Sequence, residues 1–353
     1  MSLSNEVRPP LCAGTTVLDS TVRLLRSRLS VHGGAINTSV HGAGNATMLL
    51  TISTSAVACM FDSFVSHIET ALATRSVVFL VNVALDTASI RQCQQRQCSG
   101  VSPACSTRLR LACVDLRLWW PAALRQQAEA RPTSNSGYQS CEYHLVTMIK
   151  PIILLHTVQA RMAAGDGSAV LFLDLDLVLR GDLVRWLRTK VPRTASLVLG
   201  RATPTWRPEL PEPRPNTNVI LATARSVPLL AKWAERCASA VSQQGFEGDM
   251  EELYAMWHTI RPLRLPSPTH HVLNANLRGD DLGALFDRIQ MIGGDVIAEC
   301  GNSSHEASPL ATHYDCIWDK PNTAIGGKVA RMWRQGDWRP RAQSCMVTNA
   351  QVV

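Results

Sequence analysis

The chain has 353 residues, 46% of them hydrophobic and 18% charged, a composition that excludes a disordered or fibrous protein and is long enough to bury a sizeable core. The formal net charge is +7, yet 30 of its 35 basic residues are Arg against 5 Lys and the basic blocks lack interleaved aromatics, so nucleic acid is not an expected partner. No run of about 18 apolar residues occurs, and Arg8, Pro9, Pro10, Asp19 and Arg23 interrupt the N-terminal stretch, so the chain is expected to be soluble, with neither a membrane span nor a signal-peptide core.

Residues 1–44, rich in Ser, Gly and Thr without a sustained period, read as a poorly ordered tail with one short helix at Val22–Leu29, and a second tail is expected at 341–353. Between them, 45–340 reads as one organised domain. It opens with the apolar run Met48–Ile52, a buried strand, followed by Val57, Met60, Phe61, Phe64, Val65, Ile68 and Leu72 at the three- and four-residue steps of an amphipathic helix. Val77–Val81 is a further β-branched run, ending in Asn82–Asp86. Strand, helix, strand in this order predicts a βαβ unit and a parallel sheet.

Residues 87–137 read as an irregular, Cys- and Arg-rich insertion with one short strand at Leu109–Val114; across 87–131 it holds 7 Arg against 2 acids. Cys93, Cys98, Cys105 and Cys113 lack the paired knuckles of a structural zinc site, so a disulfide-laced loop is the preferred reading. The total of 11 cysteines is odd, which leaves at least one thiol unpaired within the chain. Sequons at Asn37, Asn45 and Asn302 stand near the number chance gives and add little to the case for a secretory location.

From Cys141 to Ala163 the apolar positions predict a helix bent near Pro151. It feeds Ala169–Leu173, the most hydrophobic strand of the chain, which ends in Asp174-Leu175-Asp176. A helix near Leu183–Leu187, a strand at Leu197–Leu199, a Pro-rich loop over 204–215 and a strand at Val219–Ala222 follow. Ser226 then caps a helix with Pro228 in its first turn, and an acidic helix runs from Asp249 to Trp257.

A carboxylate pair at the carboxyl end of a buried parallel strand sits where open α/β sheets bind ligands. In a straight strand the two side chains would share a face, about 7 Å apart. That favours a division of labour, one aspartate meeting the sugar or base of a nucleotide and the other a metal bound to phosphates. The plain alternative is a turn cap and an Arg pair. Two aspartates that end a wholly apolar strand are costly unless solvated, paired or metal-bound, and no basic residue lies within the strand.

The segment from the strand through Asp174-Leu175-Asp176 to Arg180-Gly181-Asp182-Leu183 resembles the metal-site segment of the GT-A nucleotide-diphospho-sugar transferases, in particular plant cell-wall arabinosyl- and xylosyltransferases. The order of segments is similar over roughly 47–335. Leu49–Thr54 matches the family's first strand, which ends in Thr and small residues and brings Thr51 to the donor. Lys150 stands where the family has a Lys before the D-x-D strand. Asn216-Thr217-Asn218 matches Asn-Thr-Gly with Asn in place of Gly, and Asp249-Met250 matches Asp-Gln with Met in place of Gln. His313 and Lys320-Pro321 resemble the later metal ligand and the Lys for the donor diphosphate, at a changed spacing and with Cys316 where Gly is common.

The resemblance implies an α/β fold of GT-A (Rossmann-like) type, a mostly parallel central sheet flanked by helices in a single domain. It implies transfer from a nucleotide-diphospho-sugar, a UDP-sugar by preference, to a glycan or glycoprotein hydroxyl in the Golgi lumen or secretory pathway, with retention at the anomeric centre. Asp174, Asp176 and His313 would be the metal set and Asp174 would also meet ribose or metal-bound water. Thr51, Lys150, Asn216 and Lys320 would bind the donor, and Asp249 would orient the acceptor or act as base. Oxygen ligands with one imidazole favour Mn2+ or Mg2+ over Zn2+. Two rival readings stand beside it. A haloacid-dehalogenase-type phosphatase would use Asp174 as nucleophile and Asp176 as acid, with Asp280-Asp281 as its later acidic pair. A GT-A-fold binding protein without turnover would be consistent with Asn218 and Met250.

Overall fold

The computed structural model describes residues 48–54, 57–71, 78–97, 109–116, 141–202, 214–242, 248–260, 285–293, 296–299, 309–314 and 324–337. The two predicted tails, the Val22–Leu29 helix, Cys98, Cys105, the three sequons, Asp280-Asp281 and Lys320 all lie outside them.

Seven strands form one sheet in the order β3-β2-β1-β4-β7-β6-β8. They are β1 (Met48–Ser53), β2 (Val78–Ala84), β3 (Leu109–Asp115), β4 (Val170–Leu173), β6 (Leu197–Ala202), β7 (Arg214–Ala222) and β8 (Ile289–Ile292). All neighbours pair in parallel except β7, which runs against both β4 and β6. The mostly parallel α/β architecture expected from the strand-helix-strand pattern is therefore present. A second sheet, β5-β10-β9, holds β5 (Leu177–Leu179), β9 (Ile297–Glu299) and β10 (Ala311–His313).

Alternation along the central strands divides the core in two. Met48, Leu50, Ile52, Val170 and Phe172 face helices α3 (Cys141–Ala163), α5 (Val227–Ser242) and α6 (Asp249–Ile260). Leu49, Leu171 and Leu173 face α1 (Ala58–Ala71), α4 (Leu183–Lys190) and α7 (Ala324–Arg334). Burial on both faces is why these strands read as continuous apolar runs, each large side chain contributing about 1.5–3 kcal/mol of transfer free energy. α3 runs through Pro151, whose ring removes the helix bond to the carbonyl of Thr147.

Residues 87–97 differ from the irregular segment expected there, whereas the short strand expected at Leu109–Val114 is present. Thr87–Arg96 is a helix, α2, started by a capping box in which the Asp86 carboxylate accepts from the Ser89 N–H and Ser89 returns a bond to the Asp86 N–H. β3 then forms an edge of the central sheet, paired with β2 from Val78–Leu109 to Ala84–Asp115. A disulfide joins Cys93 of α2 to Cys113 of β3, with Cα atoms 5.9 Å apart. Cys237 is buried with a free thiol.

Candidate functional site

β4 stops at Leu173, one residue before the aspartates, and the chain turns instead of running straight. The Asp174 N–H donates to the Asn218 carbonyl at 2.9 Å, and the Leu177 N–H donates back to the Asp174 carbonyl at 3.2 Å. β5 then pairs antiparallel with β10, setting Leu177 opposite His313, and the Tyr314 N–H donates to the Asp176 carbonyl at 3.1 Å. The turn replaces the roughly 7 Å separation expected of a straight strand. Ligand atoms of Asp174, Asp176 and His313 come within 4.8 Å of one another, and His313 Nε2 lies 3.3 Å from Asp176 Oδ1.

The rest of the Arg180–Leu183 segment has structural work. Arg180 and Gly181 N–H groups both donate to the Leu310 carbonyl, at 2.8 and 3.1 Å, and a Cβ on Gly181 would stand 2.6 Å from Leu310 Cδ2. The Asp182 side chain caps α4 by accepting from the Arg185 N–H. This segment lashes the D-x-D turn to the strand that carries His313.

Each aspartate has its own lysine. Lys150, on α3, lies 2.9 Å from both carboxylate oxygens of Asp174 and sits over the Phe172 ring at 5.4 Å. Burial disfavours the Lys150 charge, but Asp174, Asp249 and Asp176 outweigh it and raise its pKa. Lys328, on α7, donates to Asp176 Oδ2 at 2.5 Å. Burial alone would raise Asp176; Lys328 and His313 hold it well below the usual carboxylate range. Burial pushes Asp174 up, with Lys150 opposing and Asp176 adding. Sequence reasoning missed Lys328. Its signal was scarcity: the chain has 5 Lys among 35 basic residues, and two of them meet the aspartate pair.

Asp249 opens α6, buried, and burial pushes its carboxyl up to about 7, with Lys150 opposing and Asp174 adding. The Trp233 indole N–H donates to the Asp249 carbonyl at 2.8 Å and fixes the helix start. Thr217 on β7 hydrogen-bonds the Asp249 side chain. Asn216 is drawn into local structure, its side-chain oxygen accepting from the Asn218 N–H at 3.0 Å. Thr51 is fully buried on β1 opposite Asn82, and its hydroxyl has no hydrogen-bond partner among the described residues. Asp174, Asp176, His313, Lys150 and Asp249 thus converge on one end of the central sheet, whereas Thr51 lies within it.

Two carboxylates and an imidazole at this spacing fit a divalent cation that accepts mixed oxygen and nitrogen donors and keeps open positions for water or substrate. The two ammonium groups beside them fit a phosphate-bearing ligand.

No protein-family model matches the chain, and no curated protein matches it in sequence. Solved structures do. The galactosyltransferase LgtC, in complex with donor and acceptor sugar analogues, is similar at a TM-score of 0.44 and 13% identity, over 84% of this chain and 98% of that one. The glycosyltransferase GlyE of Streptococcus pneumoniae TIGR4 is similar at 0.45 and 12%, over 85% of this chain and 66% of that one. The bifunctional glycosyltransferase WbbM is similar at 0.44 and 8%, over 83% and 51%. At TM-scores below one half these likenesses say nothing of substrate or mechanism.

Proposed function

We propose that the chain is a metal-dependent GT-A-type glycosyltransferase that moves a sugar from a nucleotide-diphospho-sugar, a UDP-sugar by preference, to a glycan or glycoprotein hydroxyl. One observation carries this: Asp174, Asp176 and His313 meet within 4.8 Å at the carboxyl end of a central parallel strand, with Lys150 and Lys328 beside them. A bound Mn2+ or Mg2+ would supply Lewis-acid stabilisation of the diphosphate leaving group, held by Asp174, Asp176 and His313.

The chain's own residues account for the remaining requirements. Lys150 holds Asp174 in place and keeps positive charge under the leaving group. Lys328 brings a second ammonium beside Asp176, so two cations stand close to where charge would grow on the diphosphate. Asp249, with a carboxyl pushed up to about 7, is suited to orient an acceptor hydroxyl and take its proton near neutral pH. The phosphatase reading is less well supported: it places the aspartate box on the first strand of the fold, and here β1, β2 and β3 precede β4. A secretory, oxidising compartment is supported by the Cys93–Cys113 bridge.

The test is a panel of UDP-sugars with Mn2+, scored for sugar transfer or hydrolysis beside a generic phosphate ester. Asp176→Asn should lower metal-dependent turnover by about 100-fold or more with an unchanged circular dichroism spectrum. Phosphate release from the ester without sugar-nucleotide turnover would replace the reading by a phosphatase. Metal-dependent UDP binding without turnover would replace it by a binding protein.

A further inference from the structure

The two lysines of the site are held differently. The Lys150 side chain is 7% exposed, locked between Phe172 and both oxygens of Asp174 on the long helix α3. The Lys328 side chain is 20% exposed and reaches Asp176 from the middle of α7, directly after Gly326-Gly327. Its ammonium takes Asp176 Oδ2 while His313 stands 3.3 Å from Oδ1. Both oxygens of Asp176 therefore already face a partner.

The charges give the consequence. Asp174 and Asp176 balance Lys150 and Lys328, so these four groups sum to zero without any cation. A divalent ion entering alone would meet an ammonium at its own ligand and leave the cluster net positive even with Asp249 ionised. A nucleoside diphosphate brings the missing negative charge and oxygens that an ammonium on a flexible four-carbon stem can reach.

We propose that Lys328 is a movable counter-ion: it neutralises Asp176 in the free protein and transfers to the diphosphate when donor binds, which opens Asp176 to the metal and makes metal and nucleotide bind cooperatively. This rests on the glycosyltransferase reading of the site. Linkage makes the effect reciprocal, so UDP tightens Mn2+ by the same factor as Mn2+ tightens UDP.

Calorimetric titration of the full chain with Mn2+, with and without saturating UDP, tests it. In the unmodified protein UDP should tighten Mn2+ about tenfold or more, the worth of one charge-assisted hydrogen bond. Lys328→Met should tighten Mn2+ in the absence of UDP by about the same factor and reduce the UDP effect towards one. Lys328→Arg, which keeps a cation on Asp176, should retain weak Mn2+ binding without UDP and serves as the second variant, with thermal unfolding of each checking the fold. Equal or weaker Mn2+ binding by folded Lys328→Met, with Mn2+ and UDP still bound, would overturn the counter-ion role alone. Failure of the unmodified protein to bind Mn2+ and UDP at all would overturn the glycosyltransferase reading together with it.

Discussion

Asn218 stands where the resembled family has Gly, and the neighbouring strand shows how the larger residue fits. Its side-chain oxygen lies where a Cβ on Gly200 would be, only 2.1 Å away, and the Asn216 carbonyl would be 3.1 Å from the same Cβ. The register of β6 against β7 shifts between Leu199 and Gly200, so the small residue and the irregularity occur together. The Asn218 carbonyl receives the Asp174 N–H. Gly200→Ala should therefore destabilise by roughly 1–3 kcal/mol in urea unfolding, and adding Asn218→Gly should recover part of that loss. Full additivity of the two changes would show that they do not share the space. The aspartate pair is legible in the sequence because it ends a wholly apolar strand, whereas Lys150, Asp249 and His313 are singled out by the family resemblance. Lys328 is marked by neither, because its helix gives no sign that it faces a turn 152 positions earlier.

At the scale of elements, the long apolar strands and the helices over 58–71, 141–163 and 227–242 follow their sequence periods closely. The misses are short or locally controlled. β5, β9 and β10 have three residues each, too few for alternation to show, and exist because they pair with one another. α2 is polar along much of its length and is specified by the Asp86–Ser89 box, a signal carried by the cap while the periodicity is weak. α7 follows a stretch without pattern, and its Val329 and Met332 reach the core only through tertiary packing. The disulfide ties α2 to the sheet edge across a sequence separation of 20. Replacing Cys93 and Cys113 by Ala should cost roughly 3 kcal/mol, measured by denaturant unfolding against the oxidised chain. Reducing agent should destabilise the unmodified protein by a similar amount and leave the double variant unchanged.

Across the whole molecule, a junction around Asp337 braces the elements that carry the site and meets it at Tyr314, whose N–H donates to the Asp176 carbonyl. The Asp337 carboxylate accepts from Arg180 and from the Tyr314 hydroxyl, while its carbonyl meets His67 and receives the Ser63 hydroxyl at 3.4 Å. Arg180 also donates to the Thr312 hydroxyl at 3.0 Å. This joins α1, the segment after β5, the β10 strand bearing His313, and the end of α7. Asp337→Ala should destabilise by about 1–3 kcal/mol, because Arg180 is partly exposed and can rehydrate. A double-mutant cycle with Tyr314→Phe should give a coupling of about 0.5 kcal/mol or more. Strict additivity would mean that the junction is not a unit.

That junction also orders events during synthesis. Arg180 and Asp337 are 157 positions apart, so at about 5–20 residues per second the partner of Arg180 leaves the ribosome on the order of ten seconds later. Strands β1 to β4 and β7 can pair in that interval, while the α1 face stays without Val329 and Met332 until they emerge. A chain cut short before residue 324 would carry both aspartates yet lack the ammonium and the anchor that complete their surroundings. An interrupted product of that kind holds the carboxylate pair in an unfinished pocket.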